Sequence, residues 1–376
     1  MKTINQWLIV SLMMFPQIAE TIYSPILPEL STIFGVTAET TSLTISLYFT
    51  AFAIGVVVWG VACDVIGRRK SLMLGLSVYA LGALLSLWAS SFDLFLICRL
   101  ITAFAAAVAS IGTQTVMRDV LQGAALTQVF SRVGIALGVS PALGLAIAGG
   151  LLYFFDYRGV LFGLFVLSVG LVLWCVWKLP ETYQIPAMKI SFFTLLKKML
   201  HDKQIWRSIL LITVFNISLF SYYQLGPFIF IKLGVTEKEF TCSGLILSLG
   251  IVIGSLLNKK LLTKNWLSVS IVKLGSVILL LSGVFCWLFS QNFIFLIGVF
   301  LTFCAYGLAI PAILSDALKD YHAALGRAGA LLGLCYYLLI SLGLLVAGAL
   351  QNIAMVIFTC GLLACIALVV LRSKNN

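Results

Sequence analysis

Gly60-Val-Ala-Cys-Asp64-Val-Ile-Gly67-Arg68-Arg69-Lys70 joins two apolar runs, Thr41–Ala62 and Leu72–Ala89. Each run matches the roughly 20 residues a helix needs to cross about 30 Å of hydrocarbon. The three cations between them have to stay in water. The stretch therefore reads as a membrane hairpin closed by a short wet turn. Gly60 and Gly67 permit a close helix approach and a tight turn. Asp64, at a helix end, can pair with a nearby arginine and hold two helices in one arrangement.

The same pattern continues in both directions. Of 376 residues, 61% are apolar and 10% are charged, against roughly a quarter charged in a soluble domain, and the mean hydropathy is +1.12. This balance excludes a soluble enzyme, because apolar residues must also cover the outside. Hydropathy gives twelve spans: Trp7–Pro28, Thr41–Ala62, Leu72–Ala89, Leu94–Val116, Ser131–Tyr153, Val160–Trp177, Ser208–Ile231, Cys242–Leu262, Ser268–Phe289, Phe293–Leu314, Leu325–Leu350 and Ile353–Leu371. The connections left over are about ten residues each, too short for a sizeable extramembrane domain. The run after Met1-Lys2 reads as a first span and not as a signal peptide, since it is longer than an h-region and carries Glu20.

The net charge of +11 does not point to nucleic acid, because the cations are scattered in short clusters and not gathered on one surface. Twenty of the 24 Lys and Arg fall on the side that carries Met1, three (Arg158, Lys232, Lys238) fall on the other, and Arg99 falls inside a span. The positive-inside rule then places both termini in the cytoplasm. The nine cysteines show no metal-ligand spacing and only two histidines are present, so no metal site is expected.

The longest polar stretch divides six spans from six, giving an N-terminal bundle at 1–180, a linker at 181–206 and a C-terminal bundle at 207–376. Gly60-x-x-x-Asp64 is echoed by Gly254-x-x-x-Asn258, each at the inner end of its span and followed by cations. The expected fold is an all-α membrane protein of twelve helices in two pseudo-symmetric six-helix bundles, a duplicated transporter with its substrate cavity between the halves.

Of thirteen acids, only Glu20 lies well inside a span. A carboxyl there is costly when charged and cheap when protonated, which makes it a natural carrier of one proton. Arg99 sits at comparable depth, about 8 Å from the outer end of its span against about 12 Å for Glu20. Arginine cannot deprotonate, so movement that changes its distance from Glu20 would drive proton release and uptake. The other reading of Glu20 is a permanent ion pair that fixes packing. In span 5, Gly134, Gly138 and Gly144 admit a neighbouring backbone, and Pro141 removes a hydrogen bond and bends the helix; the set reads as a hinge and seal, or as ordinary small-residue packing. The second half has no equally deep acid. It offers polar and aromatic groups for a substrate: Asn216, Tyr223 and Gln224 on one face of span 7, Tyr306 in span 10 and Tyr336 in span 11, joined in the first half by Tyr23.

Gly-x-x-x-Asp-x-x-Gly-Arg-Arg/Lys resembles the signature of the major facilitator superfamily. Glu20-Thr-Ile-Tyr23-Ser-Pro25-Ile-Leu-Pro28 looks like the first-span segment of drug:proton antiporters, particularly their bicyclomycin-resistance (Bcr/CflA) branch. Arg99 stands where that family has its intramembrane arginine, and Arg118-Asp119 closes the same helix as in that branch. Gly134-x-x-x-Gly138-x-x-Pro141-x-x-Gly144 resembles the exporters' antiporter motif. Tyr157-Arg158 with Phe162 is similar to the family's start of span 6, and Leu179-Pro180-Glu181-Thr182 to its exit. The first-span acid is more often Asp in that family, and Tyr157 stands in place of the usual Trp. The resemblance implies a monomeric multi-pass transporter of the bacterial inner membrane, exporting a small organic molecule in exchange for protons, with no cofactor beyond the coupling proton. Proton-symport uptake and a non-transporting sensor on the same scaffold are the rival readings. An enzyme is the least favoured reading, since the sequence offers no nucleotide loop, metal cluster or deep histidine.

Overall fold

The computed structural model describes residues 5–121, 123–182, 192–235, 237–321 and 325–370, as helices joined by turns and short loops. By its contacts the chain divides into two compact units, Met1–Lys189 and Ile190–Asn376. The first holds α1 (Gln6–Thr21), α2 (Leu27–Phe34), α3 (Ala38–Ile66), α4 (Arg68–Ser86), α5 (Phe92–Val120), α6 (Gly123–Phe154) and α7 (Tyr157–Lys178). The second holds α8 (Phe192–Leu200), α9 (Lys203–Lys232), α10 (Glu237–Thr263), α11 (Ser268–Leu288), α12 (Phe295–Ala317), α13 (Leu325–Leu350) and α14 (Ile353–Val370). Residues 183–191 of the expected linker lie outside the described residues, while Glu181 and Thr182 pack in the first unit and α8 rests on α9 and α13.

Helix starts are written locally. Asn5, Thr37, Ser91, Asp156 and Asp202 each precede a helix and accept hydrogen bonds from its first free N–H groups, as short polar N-caps do. The first expected span is not one helix. α1 stops at Thr21, a 3-10 turn spans Ser24–Ile26, and α2 runs on to Phe34. Pro25 and Pro28 bring no N–H to the carbonyls four residues before them, and their rings crowd those carbonyls; a single proline is carried within a helix, as Pro16 is in α1, but the two in close succession break the α pattern.

Ten helices among the described residues, α3, α5 to α7 and α9 to α14, are long and apolar enough to cross a membrane. α1, at 16 residues, and α4, which opens on Arg68, Arg69 and Lys70, are not among them, so length and composition of the helices alone do not reach the expected twelve. The two units nonetheless repeat one neighbour pattern. In the first, α5 packs on α3 and α4, α7 on α4, and α1 on α5, α6 and α7; in the second, α12 packs on α10 and α11, α14 on α11, and α9 on α12, α13 and α14.

In lipid there is little hydrophobic drive between helices, so close packing has to hold them. A Cβ on Gly55 of α3 would stand 2.8 Å from that of Ala107 in α5, and one on Gly254 of α10 would stand 2.8 Å from the Leu308 backbone nitrogen of α12. Gly60, where the sequence suggested a close approach, has only Ile111 Cγ1 at 3.9 Å, because the α3–α5 contact is tightest earlier in the helix. The echo with the second unit is likewise partial: Asn258 is buried and donates to the Leu308 carbonyl at 2.7 Å, whereas Asp64 is exposed. In α6, Gly144 sits against Thr21 and the Ile18 carbonyl of α1, Gly134 faces open space, and Gly138 and Pro141 lie within the helix between them.

Candidate functional site

Arg99, on α5, is 1% exposed, and Glu20, near the end of α1, is 5% exposed. The break after α1 carries Tyr23 beside the arginine, and α3 brings Tyr48 to it. The guanidinium carbon lies 3.6 Å from the Tyr23 ring centre and 4.3 Å from that of Tyr48. Its Nη1 donates to the Ala19 carbonyl at 3.2 Å and its Nε to the Thr44 carbonyl at 3.4 Å. Two desolvated cation–π contacts, each worth about 2 kcal/mol, and two carbonyls thus hold the charge where no carboxylate touches it. Tyr48 is itself fixed by donating to the Pro16 carbonyl at 3.2 Å.

No ion pair joins Glu20 and Arg99, both among the described residues. Arg99 Nη2 and Glu20 Oε1 are buried without a hydrogen-bond partner, and so are Gln17 Oε1 and the Tyr79 hydroxyl in the same unit. Unbonded buried polar atoms are expensive, and a carboxyl so placed is far cheaper with its proton on. The geometry can therefore bind and release a proton at Glu20 beside a cation that is anchored independently. Tyr48, Gln17 and Tyr79 were not singled out from the sequence. The available signal was polarity inside apolar runs, and for Gln17 its place one helical turn before Glu20.

A second cluster lies at the wet turn. Arg68 is buried; its Nε donates to Asp119 Oδ2 at 2.8 Å, its Nη1 donates to the Cys63 carbonyl at 2.9 Å, and Asp64 is 3.4 Å away. Thr182 also donates to Asp119 Oδ2, at 3.2 Å. The cap of α4 comes from far along the chain: Glu181 accepts from the backbone N–H of Arg68 at 2.9 Å and of Arg69 at 3.2 Å. Arg69 completes the tie by donating through Nη2 to the Val176 carbonyl at 2.6 Å. Gly67 has φ 96°, open to glycine, and a Cβ there would come within 2.7 Å of the Glu181 carboxylate. Asp64 pairs with Arg68 at 3.4 Å, while Asp119 is closer and less exposed.

At the opposite end of this unit, Glu29 of α2 accepts from the Tyr157 N–H at 3.5 Å, at the start of α7. Burial pushes the Glu29 carboxyl up, the Tyr157 N–H opposes this, and the charge of Asp156 adds to it. The folded carboxyl thus holds its proton more tightly than the unfolded one. Its stabilising effect is present in acid and is lost as pH rises through the folded-state pKa. Glu29→Gln, which keeps an accepting oxygen, is expected to raise the unfolding temperature at about pH 7.5 and to leave it unchanged at about pH 4. An equal gain at both values would place the effect elsewhere.

In the second unit, Asn216 is half-buried, bonded to the Ile212 carbonyl at 2.7 Å and accepting from Tyr306 at 3.3 Å. Tyr336 lies with its ring centre 4.3 Å from that of Tyr337. Tyr223 and Gln224 are enclosed: Tyr223 packs among Phe220, Tyr222 and Phe303, and Gln224 donates to the Leu344 carbonyl of α13 at 3.1 Å. The expected face of span 7 is therefore divided between half-buried Asn216 and two packed side chains.

Helices long and apolar enough to cross a membrane, with an arginine and a carboxyl buried among them, suit a transport scaffold. The family model of the Major Facilitator Superfamily matches residues 9–344, and the chain belongs to that superfamily. An "Uncharacterized transporter" of Rickettsia bellii is 31% identical over 358 residues, 90% of this chain and 88% of its own. "Multidrug resistance protein D" of Escherichia coli is 24% identical over 355 residues, 87% and 84% of the two chains. The crystal structure of a D-xylose-proton symporter aligns with a TM-score of 0.77 over 97% of this chain and 96% of its own, at 13% identity, a likeness of fold. The protein is a multi-pass membrane transporter and not an enzyme.

Proposed function

We propose that this chain is a proton-coupled exporter of a small organic molecule, acting as a monomer by alternating access in a bacterial inner membrane, with both termini cytoplasmic. In this reading α1 and the broken segment after it, as far as Pro28, form the first of twelve spans and α4 the third, six to each half. The chain then belongs to the drug:proton antiporters, in their bicyclomycin-resistance branch. The observation that carries the reading is Glu20, the one acid deep in a span, buried with an unbonded oxygen while Arg99 is held by other groups. Protonation from outside favours return to the inward-facing state, and release inside permits substrate capture. Asn216, Tyr306 and Tyr336 are the second half's candidates for contact with the substrate. The relationship to a multidrug resistance protein supports a drug-like cargo.

The test is substrate-induced proton flux in proteoliposomes across a panel of drug-like compounds, metabolites and sugars. At least one compound is expected to move protons opposite to itself. Movement of both in one direction would make the protein a symporter, and transport without proton movement would end the proposal.

A further inference from the structure

Away from the charged interior, a surface cleft of about 540 Å³ lies in the second unit, lined by Lys197, Lys198, His201, Asp202 and Tyr321. We propose that this cleft seats the phosphate headgroup of an anionic lipid. Its one acid is already committed. Asp202 Oδ1 caps α9 by accepting from Gln204 and Ile205 at 2.8 and 3.4 Å, and Oδ2 accepts from the Tyr321 hydroxyl at 2.8 Å. The cations are positioned without being ion-paired among the described residues. Lys198 Nζ stands 5.0 Å from the Tyr321 ring centre, Lys197 is exposed, and His201 engages the Lys197 carbonyl through Nδ1 at 2.8 Å, which leaves Nε2 as its second polar atom. The cleft therefore offers two positive groups, Lys197 and Lys198, to a ligand with negative oxygens.

The surroundings favour a lipid over a soluble phosphate. On α8, Leu195 and Met199 are buried while Lys197 and Lys198 point outward, so the helix is two-faced where it leads into α9. The indole of Trp206 is half-exposed in the first turns of α9 and donates to the Leu200 carbonyl at 2.8 Å. A tryptophan at the mouth of a membrane-crossing helix marks the headgroup level, and exposed Leu200 beside it gives an acyl chain an apolar surface. Basic pockets at this level are suited to anionic headgroups. The inference needs only that the chain spans a membrane and holds whether or not transport is proton-coupled.

Native mass spectrometry of the full-length protein, titrated with phosphatidylglycerol or phosphatidylcholine in detergent, tests it. One phosphatidylglycerol is expected to be retained preferentially. The double variant Lys197→Gln/Lys198→Gln should weaken it by roughly tenfold or more, His201→Gln by less, and both should unfold at the wild-type temperature in phosphatidylcholine. Lys259→Gln/Lys260→Gln, which removes two exposed cations of α10, should bind as wild type. An equal loss in that control would reduce the effect to diffuse charge and overturn the site. Binding of inorganic phosphate or glycerol phosphate as tightly as phosphatidylglycerol would overturn the lipid assignment.

Discussion

Glu20→Gln is expected to bring proton-driven export to background while the protein inserts and folds normally. The substitution keeps the shape and one accepting oxygen and removes the site that changes charge, so substrate binding and downhill exchange persist while dependence on the pH gradient disappears. Stability discriminates this role from a structural one. Removing one member of a buried ion pair costs about 3–5 kcal/mol, but Glu20 is not ion-paired to Arg99, whose guanidinium rests on Tyr23, Tyr48 and two backbone carbonyls. The unfolding temperature of Glu20→Gln should therefore equal or exceed that of the wild type. A fall of several degrees would restore the structural reading, and an unchanged pH dependence of transport would end the proton assignment.

Arg68→Gln carries the second large effect, on stability. Arg68 reaches Asp119 and the Cys63 carbonyl with different nitrogens, and its side chain is 6% exposed against 16% for Asp119. Its loss strands a shielded carboxylate with only Thr182 described beside it, and the expected cost is about 3–5 kcal/mol. Arg68→Lys should recover little, since a single nitrogen cannot occupy both positions from which Nε and Nη1 reach their acceptors. Asp64→Asn should change stability by less than about 1 kcal/mol, because that carboxylate is 45% exposed and pairs at i,i+4. Chemical unfolding of Arg68→Gln, Asp119→Asn and the double variant checks this: a coupling near zero between positions 68 and 119 would refute the pair.

What the sequence made legible follows from scarcity. Few charges survive in a membrane span, so Glu20 and Arg99 stand out by position alone, as does the cationic turn at Arg68. Proline chemistry was legible too, yet the break at Pro25 and Pro28 was read through as one span because hydropathy averages across it. Partner choice was not legible. Whether Arg99 leans on Glu20 or on Tyr23 and Tyr48 depends on rotamers contributed by three helices, and Glu181 stands 113 positions from the N–H it caps. The glycines divide in the same way: Gly67 declares itself in a turn, whereas the choice between Gly55 and Gly60 rests on the exact crossing point of α3 and α5, which periodicity does not encode.

The Glu181 cap also bears on how the molecule is made. A chain that enters the membrane from its N-terminus has α3, α4 and α5 in place before residue 181 has been synthesised. Until then the first N–H groups of α4 lack their carboxylate and three neighbouring cations have no counter-charge from it. The cap of α4 is complete only with the last residues of its own half. The Leu179-Pro180-Glu181-Thr182 segment thus ties the end of the N-terminal unit back to the turn that opens α4.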